Sequence, residues 1–140
     1  MVRLTENEQE ITLSQEIQYL QNVIESTDRQ ISVLSKGAED YLRALSVLEE
    51  SAIESSRDVR ISIGGGVFVK ARIESSKPLI IPIGSGIFIE ETPEQTKERL
   101  KKLISDINGT LENMNAQRKV AMSQYEQLIS MMKENSGKKE

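Results

Sequence analysis

Two stretches of the sequence share one pattern: residues 61–69 read ISIGGGVFV, and residues 81–89 read IPIGSGIFI. In each copy two glycines flank a small residue, and a Phe follows between branched apolar residues. Alternating apolar residues on both sides of such glycines are typical of a β-hairpin, because glycine tolerates the positive φ that a tight turn requires. The sequence therefore predicts two hairpins within residues 59–91.

The predicted hairpins have few polar residues on either face. An isolated two-stranded hairpin is marginally stable in water, and its unpaired edges tend to pair with other chains. The two hairpins could cover each other within one chain, but apolar residues on both faces favour cover by other subunits. Pro82 lacks a backbone donor, so its strand must lie at an edge or carry a bulge. The predicted subunit contacts are Ile61, Ile63, Val67, Phe68, Val69, Ile81, Ile83, Ile87, Phe88 and Ile89.

Long helices are predicted on both sides of the hairpins. Over residues 5–55, apolar residues from Leu13 to Ala52 follow one another at spacings of 3 and 4, which is the heptad pattern of a coiled coil. A second seam predicts a helix over residues 93–134, followed by a flexible tail at 135–140. Thr5 and Thr92 each begin a capping box. The fold class is α+β, and residues 1–140 form one elongated unit with helices of up to about 75 Å.

An antiparallel hairpin within one chain is the favoured arrangement of the two helices, although the heptads also fit a parallel dimer. A four-helix bundle is less favoured, since its apolar stripes would be wider and its helices shorter. The antiparallel register that places the two polar interruptions, Thr27 and Arg118, opposite each other also brings Asp28 near the guanidinium. A shift of one heptad would instead place Arg118 against Leu34, which leaves a charge on an apolar seam.

The composition argues against an enzyme. The chain has no His and no Cys, so the usual zinc, haem and nucleophile–His sites are absent, and we expect no metal and no cofactor. The glycine-rich segments do not match a phosphate loop or a dinucleotide fingerprint. A net charge of −4 without a basic stripe disfavours nucleic-acid binding. No apolar run is long enough to span a membrane, and no signal peptide is recognisable, so we expect a soluble cytoplasmic protein.

The order of helix, two glycine-centred hairpins and returning helix resembles the prefoldin family of chaperones, also called GimC. The segments ISIGGGVFVKARI and LIIPIGSGIFIEETPEQ are the most specific part of the resemblance, which covers nearly the whole chain. Two hairpins, rather than one, indicate the alpha class of subunits. The resemblance implies a hexamer of two alpha and four beta subunits, whose hairpins form an oligomeric β-barrel body. It also implies that the coiled-coil tips bind unfolded proteins without ATP and pass them to a group II chaperonin.

The residues themselves give some support to client binding at the tips. Apolar residues lie outside the heptad seam near both ends of the chain, and methionine adapts its shape to many apolar partners. The alternative is that these residues only widen the coiled-coil core. The predicted client-binding residues are Ile11, Leu13, Ile17, Tyr19, Leu128, Ile129, Met131 and Met132. A different class of function, a structural coiled-coil spacer or tether assembled through the hairpins, would need no such apolar tips.

Overall fold

The computed structural model describes residues 5–50, 58–74 and 78–137. Its elements, in chain order, are α1 (Glu6–Glu49), β1 (Asp58–Gly64), β2 (Val67–Arg72), β3 (Leu79–Gly84), β4 (Ile87–Glu91) and α2 (Pro93–Gly137). Within the described residues, β1 pairs only with β2 and β3 only with β4, both antiparallel. The predicted α+β class, with two long helices flanking two hairpins, is confirmed.

Both helices begin where the sequence predicted. The amide of Glu8 donates to the Thr5 hydroxyl at 3.3 Å, and the amide of Thr5 donates to Glu8 at 3.0 Å. Thr92 and Gln95 make the same reciprocal pair at 3.1 and 3.2 Å. These bonds satisfy amides that have no partner in the first turn of a helix.

The ends of the helices differ in detail from the prediction. Helix α1 ends at Glu49, and residues 51–55 of the predicted helix lie outside the described residues. Helix α2 continues to Gly137, so residues 135–137 of the predicted flexible tail are helical. Asn135 is half-buried and lines a surface hollow with Leu13, which gives this last turn a contact that the sequence did not reveal.

The chain divides into two compact units. The first, here the helical unit, comprises Met1–Lys36 and Asn108–Glu140; the second, the strand unit, is Gly37–Ile107. Only four apolar residues are buried among those described, and two of the four are alanines: Ala38, Leu48, Leu100 and Ala121. The core is therefore a thin seam, as expected for a chain with so few aromatic residues. The prediction of a single elongated unit stays a prediction.

In the helical unit the two helices run antiparallel. Leu13 lines a hollow with Met131, and Leu20 lines another with Gln124, so the numbers rise along one helix as they fall along the other. Arg118 Nε donates to Asp28 Oδ1 at 2.5 Å, and Arg118 Nη2 lies 3.5 Å from Asp28 Oδ2. This is the predicted antiparallel register.

The Arg118–Asp28 pair places a cation at a heptad position that is otherwise apolar. The hydrogen bond to Asp28 and the negative charge of its carboxylate raise the pKa of Arg118 above its usual value. Arg118 therefore stays charged, and sliding the helices by one heptad would separate it from Asp28. Because both side chains are partly exposed, the pair contributes more to alignment than to stability.

Engineered cysteines can test this register, since the chain has no Cys of its own. We expect the double change Leu20→Cys and Tyr125→Cys to form a disulfide within the chain, because the two positions lie at the same level of the seam. Leu20→Cys with Met132→Cys, the pair of the one-heptad shift, should stay reduced because its Cα atoms lie too far apart. Mass spectrometry after mild oxidation measures both; preferential closure of the second pair would contradict the register.

Each hairpin of the strand unit turns through two residues. Gly65 and Gly66 have φ of 59° and 75°, and Ser85 and Gly86 have φ of 52° and 73°. Such positive values match the twist of the flanking strands. One extra residue precedes each turn, which shifts the register after Ser62 and after Pro82. The sequence predicted that the strand of Pro82 lies at an edge or carries a bulge; within the described residues β3 has one paired edge, and its register shifts directly after Pro82.

The second hairpin is tied to α2 through Glu91, the last residue of β4. Glu91 is buried, forms an ion pair with Arg99, and lies with its Oε2 3.2 Å from the hydroxyl of Thr96, which is 4% exposed. Thr96 and Arg99 are one and two turns into α2, so one carboxylate joins the strand to the helix face. The sequence pattern around Glu91 does not indicate a buried charge.

Replacing the Glu91 carboxylate should destabilise the folded protein. We expect Glu91→Ala to lower the free energy of unfolding by about 1–3 kcal/mol, because it leaves Thr96 and the half-exposed Arg99 without a charged acceptor. Glu90→Ala is the matched control: the neighbouring side chain is exposed, and a surface change is usually worth under about 0.5 kcal/mol. Urea denaturation of both variants at one protein concentration measures the difference; equal effects would show that the carboxylate does not join the two elements.

Candidate interaction surfaces

The first hairpin leaves apolar side chains exposed on both faces. Ile61 pairs with Val69 on one face, Ser62 pairs with Phe68 on the other, and of these residues none is buried by the rest of the described chain. The Arg60 guanidinium lies 5.9 Å from the centre of the Phe68 ring, which is a cation–π contact. The face of Ile61 and Val69 is therefore apolar and exposed, whereas the opposite face carries Phe68 among polar and charged residues. Contiguous apolar exposure of the first kind marks an interaction surface.

The second hairpin has one covered face and one exposed face. Ile81 pairs with Ile89, and both are half-buried on the side that carries Glu91. Ile80 lies on the opposite side and is 68% exposed. Side chains alternate between the two faces of β3, so the sequence predicts that the faces can differ. It does not indicate which face the helices cover.

The ten predicted subunit contacts fall into an exposed group and a half-buried group. Eight of them are exposed: Ile61, Ile63, Val67, Phe68, Val69, Ile83, Ile87 and Phe88. Ile81 and Ile89 are half-buried against their own chain instead. Ile80 belongs to the exposed surface, although the sequence analysis did not select it. The role of all these residues in assembly stays a prediction.

The predicted client-binding residues are spread over several environments in the helical unit. Tyr19 and Met131 are 68% and 50% exposed. Ile11 is also exposed, but it is not one of the residues that line the hollow beside Leu13. The remaining five are half-buried: Leu13, Ile17, Leu128, Ile129 and Met132. Ile17 and Met132 occupy seam positions, so their apolar surface serves the pairing of the helices. The structure therefore does not assemble all eight residues into one exposed patch.

Three adjoining hollows lie along one flank of the helix pair, with volumes of about 430, 300 and 440 Å³. Adjoining hollows share lining residues: Glu16 belongs to the first two, and Leu20 and Gln124 to the last two. Residues one heptad apart lie on the same side of a helix. The residues that line the hollows include two series with this spacing: Gln9, Glu16 and Val23 on α1, and Gln117, Gln124 and Met131 on α2. The three hollows therefore lie on the same side of the helix pair.

We call this feature the flank groove: the surface between Gln9–Val23 of α1 and 116–135 of α2. Leu13 and Met131 line its outer end, and Tyr19, Val23 and Val120 line its inner end. Val120 is 59% exposed and was missed by the sequence analysis. A branched apolar residue outside the seam was the available signal, but a single such residue is common on helix surfaces.

The strand unit contains an apolar cleft of about 490 Å³. Tyr41 and Val47 of α1, Leu103 of α2 and residues 79–82 of β3 line it, and Arg99 contributes the aliphatic part of its side chain beside its ion pair with Glu91. The cleft and the covered face of the second hairpin are one feature, since β3 contributes to both.

The surfaces offer apolar contact and little acid–base or metal chemistry. No group of three or more His, Cys, Asp or Glu that could hold a metal ion occurs in residues 5–50, 58–74 and 78–137. Across the same described ranges, no helix is long and apolar enough to cross a membrane. Apolar contact is non-directional, so such surfaces can bind many partners without reading a particular sequence.

The chain is similar to known proteins both in sequence and in fold. The family model for prefoldin subunits matches residues 7–138. The chain is 38% identical to prefoldin subunit alpha of Thermoplasma acidophilum over 110 residues, which is 79% of this chain and 85% of that protein. It is also similar in fold to a solved structure, the filamentous PFD of Methanocaldococcus jannaschii. That similarity has a TM-score of 0.68 at 15% identity and covers 84% of this chain and 98% of the other.

Proposed function

Because the chain belongs to the prefoldin family, a family of chaperones rather than a class of enzymes, we propose that it is a holdase subunit that binds unfolded proteins without ATP. The exposed apolar side chains of the helical unit carry this proposal. A structural spacer would not need Tyr19, Val120 and Met131 to expose half or more of their surface to water. The resemblance to the alpha class, inferred from two glycine-centred hairpins, is confirmed by the similarity to an alpha subunit.

Client binding in this proposal takes place on the helical unit, near the chain ends. An unfolded protein exposes apolar segments whose order is not fixed, so a binding surface must accept different side chains. Met131 adapts its shape, and Tyr19 combines an apolar ring with a hydroxyl that tolerates water. No nucleotide enters the proposed cycle, and the bound client passes to a group II chaperonin.

Assembly takes place through the strand unit. Prefoldin subunits form multi-subunit complexes, and the exposed faces of the two hairpins supply an apolar surface for such contacts. We propose that the partners are beta subunits, in a hexamer of two alpha and four beta chains whose hairpins close into a β-barrel body. Closure into a barrel pairs every strand edge, which removes the risk of uncontrolled edge pairing. The proposed location is the cytoplasm.

Charged residues on the first hairpin should disrupt assembly. We expect Ile63→Asp with Val67→Asp to give a smaller particle that keeps most of its helicity, because both side chains are exposed beside the turn and no helix depends on them. Size-exclusion chromatography with light scattering gives the mass, and circular dichroism gives the helicity.

Val33→Asp is the matched control for assembly. It places the same charge on an apolar residue that is 70% exposed, but in the helical unit. This variant should keep the mass of the unaltered particle. A hairpin variant that also keeps the full mass would contradict assembly through these strands.

Client protection should depend on exposed residues of the helical unit. We expect the triple change Tyr19→Ser, Val120→Ser and Met131→Ser to reduce protection of an unfolded protein sharply while the particle mass stays unchanged. The three side chains are exposed, so their replacement removes binding surface without opening the seam between the helices. Light scattering of a denaturant-unfolded protein diluted into buffer, with and without ATP, measures protection.

Val33→Ser serves as the control for client binding, since Val33 is exposed in the same unit but lines none of the hollows. It should protect as well as the unaltered protein. Full protection by particles carrying the triple change would place client binding elsewhere. A particle that assembles but never protects any client would favour a spacer or tether.

A further inference from the structure

The flank groove has a carboxylate at its centre and apolar residues at both ends, which at the outer end lie among polar residues. Glu16 lies between the outer end, with Leu13 and Met131, and the inner end, with Tyr19 and Val120. Glu134 also lines the outer end, and the remaining polar residues along the groove are uncharged. None of the described residues that line the three hollows is Lys or Arg. The charged residues that line the three hollows are therefore both negative.

We propose that the flank groove binds amphipathic helical segments of unfolded clients that carry a basic residue between two apolar clusters. The proposal rests on the holdase function and names the class of client segment that this subunit prefers. A Lys or Arg at the centre of the segment pairs with Glu16, while the apolar clusters contact the two ends of the groove. An acidic residue at the same place meets a like charge.

The dimensions of the groove favour a helical segment over an extended one. From Gln9 to Val23 the groove follows about 21 Å of helix, which matches a partner helix of about 14 residues. A helix pairs its own backbone amides and carbonyls, so it can cover apolar surface without leaving them unsatisfied. An extended segment could not pair them here, because the backbone groups of α1 and α2 already bond within their own helices. Groove binding of an amphipathic helix is a common mode of peptide recognition.

Selectivity should arise from charge, and affinity from apolar contact. Glu16 and its partner would remain partly hydrated, since Glu16 is exposed. An exposed ion pair changes affinity by a factor of up to about five. Salt should therefore weaken the preference for basic segments, while binding through the apolar ends persists.

Synthetic peptides test this inference on the full-length protein in its assembled state. The probe is a fluorescein-labelled amphipathic peptide of about 14 residues, with leucines towards both ends and Lys, Gln or Glu at the centre. We expect the Lys peptide to bind about fivefold more tightly than the Glu peptide in low salt. Fluorescence anisotropy gives the affinities.

Two pairs of variants separate the contribution of charge from that of apolar contact. Glu16→Gln should reduce the preference for Lys, whereas Glu25→Gln, which changes an exposed carboxylate on α1 outside the groove, should retain it in full. Tyr19→Ser with Val120→Ser should weaken all three peptides together, whereas Val33→Ser should not. Equal affinities for the Lys and Glu peptides on the unaltered protein, or an unchanged preference in Glu16→Gln, would overturn the proposal.

The outcome is distinguishable from failure of the holdase function. If particles protect unfolded clients but show no charge preference for peptides, the holdase function stands and this inference fails. If the unaltered protein neither protects clients nor binds any of the peptides, both fail. A change in particle mass on Tyr19→Ser with Val120→Ser would show that a second copy of the chain occupies the groove, which also overturns the proposal.

Discussion

The rest of the structure depends on one constraint: the described chain has too few helices and strands to cover every apolar face that it contains. A folded domain buries the apolar face of one element against another, and an amphipathic helix or a two-stranded ribbon cannot do so alone. Here the two helices cover each other along a thin seam, and α2 holds the second hairpin through Glu91. The described chain has nothing left to cover the first hairpin or the flank of the helix pair. Both exposed apolar surfaces are thus consequences of how little core the sequence provides.

Regular features of the sequence predicted the fold well, because each has a local physical cause. The heptad spacings define the seam, Thr5 and Thr92 satisfy the first amides of their helices, and the glycines of the two turns adopt positive φ. Pairing of Thr27 with Arg118 predicted the antiparallel register, and the ion pair to Asp28 confirms it. These features need only one or two neighbouring turns to be recognised.

Other features depend on contacts between distant residues and were not predictable in the same way. Ile80 and Ile81 lie on opposite faces of β3, and only the face of Ile81 is covered. Because both residues are isoleucines, the sequence cannot indicate which face that is. The burial of Glu91 requires Thr96 and Arg99 to reach back to the end of β4, which a charge pattern alone does not suggest. Val120 joins the flank groove only because the helices pair in one register. The sequence therefore indicated which segments carry exposed apolar residues, but not which of those residues their own chain covers; their roles in binding and assembly stay predictions.

The two exposed surfaces make different demands on affinity, and assembly can reconcile them. A groove about 21 Å long with an open, hydrated centre can bind a client segment only weakly. Weak binding has an advantage for a holdase, because the client must later be released without ATP. In the proposed assembly, subunits joined through their hairpins would present several grooves to one unfolded chain, and the effective concentration of the remaining grooves would make overall binding strong. Release then follows from the loss of individual weak contacts one after another, which a single tight site would not permit. If the proposed function holds, the exposed hairpins supply the avidity that a single groove lacks, and tighter binding by each groove would impair the transfer of clients rather than improve it.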